Sequence, residues 1–66
     1  MNHSQIKVIG EVMRFLTSPE FTIPYDVEIL VTSCNKQLKK LDDAGIEPAL
    51  RNEIKNIFEE EIYRYI

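Results

Sequence analysis

One cysteine, one histidine, two glycines and no tryptophan among 66 residues remove most of the devices by which a small protein staples itself or does chemistry. Cys34 has no second cysteine to pair with, and with His3 as the only histidine no structural zinc set can be assembled. Gly10 and Gly45 alone cannot build a phosphate cradle. No Walker lysine loop, dinucleotide glycine pattern, helical metal-protease motif or calcium-loop spacing occurs. No run approaches the roughly 18 apolar residues that a membrane span requires. The polar stretch Asn2 to Gln5 is not a signal segment, and a lone cysteine fits a reducing compartment, so the expectation is a cytoplasmic chain without membrane, metal or cofactor.

Positive charge is also scarce. Eight basic against eleven acidic residues give a net charge of -3, which opposes the general phosphate attraction that nucleic-acid binders exploit. Protein partners are the better match. Catalysis is not expected either. A nucleophile needs a positioned base, and His3 lies at what should be a frayed terminus. Cys34 sits among Val31 and Leu38, where a thiol acts as a small hydrophobe rather than a reactive thiolate. The acidic runs Asp42-Asp43 and Glu59-Glu60-Glu61 cannot converge on one atom from a single helix, because consecutive residues point about 100° apart.

What the sequence does contain is three stripes at helical spacing. Ile6, Ile9, Met13 and Leu16 form the first, widened by Val8, Val12 and Phe15 to roughly half the circumference. Ser4 is the expected N-cap, and Thr17-Ser18-Pro19 the stop. Glu20 to Ile23, between two prolines, reads as an extended or turn segment with Phe21 and Ile23 turned inward. Pro24 suits a first helical position, followed by the stripe Val27, Leu30, Val31, Cys34, Leu38 and Leu41. Val27 to Thr32 is rich in β-branched residues and alone would read as a strand, yet the helical period persists to Leu41. Gly45 is the expected left-handed stop, and Pro48 opens a third stripe of Leu50, Ile54, Ile57, Phe58, Ile62 and Tyr65. Glu47 with Arg51 and Glu60 with Arg64 are spaced as supporting ion pairs.

The expected architecture is an all-α domain over residues 1–66, a small three-helix bundle of antiparallel helices near 4–17, 24–44 and 48–65, completed by dimerisation. Its expected core is Ile9, Met13, Leu16, Leu30, Cys34, Leu38, Leu41, Leu50, Ile54, Ile57 and Phe58. A domain of this size, with one core and no staple, favours a second chain as reinforcement. The first stripe is wider than a bundle helix can bury, which leaves Val8, Val12 and Phe15 for a surface. Tyr63, Tyr65 and Ile66 add aromatic and apolar contact, and Glu61, an acid inside the apolar stripe, faces a basic partner. The function this favours is a non-enzymatic interaction module, a homodimer that binds and modulates a larger bacterial or phage protein machine. The rival is a dimeric nucleic-acid-binding regulator using Lys36, Lys39 and Lys40.

Overall fold

The computed structural model describes residues 1–66, and every regular element in it is a helix: α1 (His3–Leu16), α2 (Pro19–Thr22), α3 (Val27–Asp43) and α4 (Pro48–Tyr63). No helix is long and apolar enough to cross a membrane.

Local chemistry explains each boundary. Asn2, not Ser4, caps α1. Its side chain accepts from the Gln5 amide at 2.9 Å while the Gln5 side chain accepts from the Asn2 amide at 3.0 Å, a reciprocal capping box. Gln5 supplies the second half of that box, which no residue three positions beyond Ser4 can do, since that position is Lys7. The segment expected to be extended is a single helical turn instead. Pro19 pre-sets the helical φ at its first position, and the Ser18 carbonyl accepts from the Phe21 and Thr22 amides. Pro24 lies outside the next helix. Asp26 is the true cap of α3, accepting from the Ile29 amide at 2.8 Å.

The β-branched run Val27 to Thr32 is helical, as its continuing period requires. At the far end Gly45 has φ 69°, the Gly45 amide donates to the Asp42 carbonyl and the Ile46 amide donates to the Leu41 carbonyl. That is a Schellman stop, and Ile46 and Leu41, the two positions of its usual apolar contact, are both buried in the same cluster. Pro48 then opens α4 as expected.

All nine buried hydrophobic residues belong to one cluster: Val12, Phe15, Phe21, Leu30, Cys34, Leu41, Ile46, Ile54 and Phe58. Leu30, Cys34, Leu41, Ile54 and Phe58 match the expected core, and Ile9, Leu16, Leu38 and Leu50 pack half-buried against it. Met13 and Ile57 do not belong to it; they are 44% and 45% exposed. Phe21 is buried but its neighbour Ile23 is 75% exposed.

The misplacement in α1 has a definite cause. Phe15, Phe21 and Phe58 form a mutually touching aromatic trio, with ring centroids 5.4 to 5.7 Å apart and the Phe15–Phe58 pair edge-to-face. Because α2 follows α1 after two residues, Phe21 is delivered next to Phe15. The Phe15 edge of α1 is thereby turned inward, and the Ile6–Met13 edge outward.

Candidate interaction surface

The residues expected to form one apolar surface fall into two groups. Val12 is fully buried and Phe15 is 7% exposed, so both are core residues and offer no partner an accessible face. Val8 packs half-buried on the same cluster. Excess apolar arc does exist on α1, but it is the opposite edge: Ile6 is 56% exposed, with Met13 beside it.

The C-terminal residues stand where a partner could reach them. Tyr63 is 68%, Tyr65 45% and Ile66 84% exposed. The structure adds exposed residues that the sequence pattern concealed. The Phe21–Phe58 contact brings α2 beside the second half of α4, and Ile23 and Tyr25 follow α2 directly. Tyr25 is 92% exposed, and Ile29 in the first turn of α3 is also exposed. Ile23, expected to turn inward between Pro19 and Pro24, is exposed instead, and Tyr25 after Pro24 belongs to no helical period that could have marked it.

Glu61 is largely covered, its side chain 16% exposed, with the Arg64 guanidinium 3.5 Å away. Its charge acts on Cys34. Burial first, and the Glu61 carboxylate second, push the Cys34 thiol up to about 11, so the group stays a neutral thiol at physiological pH.

The lysine patch is partly neutralised. Lys39 pairs with Asp43 at 2.9 Å and Lys40 with Glu11 at 3.6 Å, leaving Lys36 without an ion pair. The acidic runs are divided among separate bases in the same way: Asp42 goes to Arg51, Glu59 to Lys55 and Glu61 to Arg64. The expected pairs Glu47–Arg51 and Glu60–Arg64 do not form. Glu47 is the residue before α4, with an extended ψ of 133°, and Arg51 turns to Asp42 across the connection instead.

Gln37 is the one polar residue in the buried set, and its side-chain oxygen has no hydrogen-bond partner. The surface holds no cavity. Comparisons with family models, curated proteins and solved structures find no match for this chain.

Proposed function

We propose that this chain is a non-enzymatic protein-interaction module, cytoplasmic and homodimeric, that binds and modulates a larger bacterial or phage protein machine. The observation that supports it is the exposure of Ile23, Tyr25, Tyr63 and Ile66, at 75%, 92%, 68% and 84%. Tyrosine supplies large, rigid contact area with a polar tip, which is why it concentrates binding energy at interfaces. In the same reading α1, α3 and α4 make an antiparallel three-helix bundle with α2 as an added turn. Two sets of contacts support that arrangement: Gln5 with Ala44 and Gly45, then Glu11 with Lys40; and Asp42 with Arg51 across the α3–α4 connection.

The test compares the tagged chain with a Tyr25→Ser, Tyr63→Ser, Ile66→Ser variant in capture from extracts of its own cells. A protein held by the first and lost by the second, with helicity unchanged by circular dichroism, is the expected result. Equal capture by both would remove this surface from the reading. The rival nucleic-acid reading is tested by binding to duplex DNA at two salt concentrations, since phosphate contacts weaken steeply with salt.

A further inference from the structure

We infer that a second copy of this chain docks on the face between α1 and α4, with the two-fold axis parallel to the helices. This rests on the homodimer reading above and names its surface and symmetry; that surface does not include Tyr25, Tyr63 or Ile66.

Two ion pairs orient the outer helices on α3. Glu11 of α1 meets Lys40 on one flank of α3, and Arg51 of α4 meets Asp42 on the other. At about 100° per residue, Glu11 lies roughly 160° from Met13 around α1, and Arg51 lies roughly 120° from Ile57 around α4. The edges carrying Met13 and Ile57 therefore turn away from α3, and the Phe15–Phe58 contact, which joins α1 to α4, brings the two edges to the same side of the molecule. The Phe15–Phe58 contact sets the register, placing Met13 close to the level of Ile57. The resulting strip consists of Ile6, Met13 and Ile57, 56%, 44% and 45% exposed, with Ile9 and Leu50 half-buried behind them.

Charge borders this strip asymmetrically. Lys7 and Arg14 lie beyond it on α1, and Glu53 and Glu60 beyond it on α4. All four are exposed, and none makes an ion pair within the chain. Across the helices the face reads basic, apolar, acidic; Arg64, one turn past Glu60 on that last edge, is engaged by Glu61. A rotation of 180° about an axis along the helices lays the basic edge of each copy over the acidic edge of the other. An axis across the helices would set like charges together. A partner bearing one sign of charge satisfies one edge, whereas a second copy satisfies both and closes the contact.

Gly10 adds an independent mark. It lies between Ile6 and Met13, one turn from each, and a Cβ there would meet nothing within 4 Å. Glycine in the middle of an exposed helix weakens it, and nothing inside the chain requires the absence of a side chain. A helix crossing close over α1 would require it.

Sedimentation equilibrium of the full chain over micromolar concentrations tests the proposal. The wild type and a Tyr63→Ser, Tyr65→Ser variant should both dimerise. Lys7→Glu with Arg14→Glu, or Glu53→Lys with Glu60→Lys, should weaken the dimer roughly tenfold or more by placing like charges together. Combining all four reversals should restore it, and so should mixing the two paired variants. Gly10→Leu should be folded and monomeric. A monomeric wild type, reversals without effect, or failure of the combined variant to recover would each overturn the proposal. The capture test above, by contrast, reads Tyr25, Tyr63 and Ile66 and can fail alone.

Discussion

Gly10 and Cys34 are two small residues whose surroundings differ completely. Nothing in the chain approaches Gly10, so Gly10→Ala should stabilise the monomer by about 0.8–1 kcal/mol, the difference in helix propensity. Urea unfolding at a dilution where the chain is monomeric checks this; a loss of stability would show that the space around Gly10 is not open. Cys34 is 1% exposed and held neutral. In the unfolded chain its thiol ionises near its ordinary value of 9.0, but in the native state only near 11. Between those values the unfolded state has released a proton that the native state keeps, so the Cys34 contribution to stability is complete below pH 9 and is lost as pH rises toward 11. A Cys34→Ala variant should lose that part of the alkaline dependence, seen as a shallower fall of Tm over the same range. Native Cys34 should also resist thiol reagents until the protein unfolds.

Among the elements, α1 is tied down by a residue whose role no stripe reveals. Gln5 completes the capping box at Asn2 and also donates to the carbonyls of Ala44 and Gly45, at 3.1 and 3.2 Å. It joins the start of α1 to the end of α3. Gln5→Ala should cost about 1–2 kcal/mol, the sum of a cap and a part-buried hydrogen bond. Gln5→Glu keeps the acceptor for the Asn2 amide but has no donor for the two carbonyls, so it too should destabilise; a neutral result in thermal unfolding would show that the long-range bonds contribute nothing. Gln5 illustrates what the sequence made legible and what it did not. The three long helices could be read, including the β-branched run in α3, and so could the stop at Gly45 and the start at Pro48, because these depend on local geometry; the caps at Asn2 and Asp26 and the helical turn of α2 were not read. The rotation of α1 could not be read. An apolar arc half the circumference wide has no unique inner edge, and the deciding contact, Phe15 with Phe21 and Phe58, comes from two other helices. The same rotation exchanged Val12 and Phe15 for Ile6 and Met13 on the exposed side of the candidate surface.

At the scale of the whole molecule, one cluster holds all the buried hydrophobic residues, and there is no second core to hold the chain if the first is damaged. Phe58 is its largest fully buried side chain and touches the rings of both Phe15 and Phe21. Truncating such a residue removes its transfer free energy and leaves a cavity, a combined cost of about 3–5 kcal/mol. A domain this small has about 3–5 kcal/mol to lose. The two quantities are equal within their spread, so Phe58→Ala should be largely unfolded at 25 °C, with its helical circular-dichroism signal reduced to that of a denatured chain. Phe58→Leu fills most of the same space and should remain folded with a lowered Tm, which separates loss of packing from loss of the edge-to-face ring contacts. Dimerisation adds a further dependence, because a partner that binds only the folded chain shifts unfolding by mass action. For the wild type the Tm should therefore rise with protein concentration, and for the Lys7→Glu, Arg14→Glu variant it should not. A wild-type Tm independent of concentration across two decades would show that the single core stands alone.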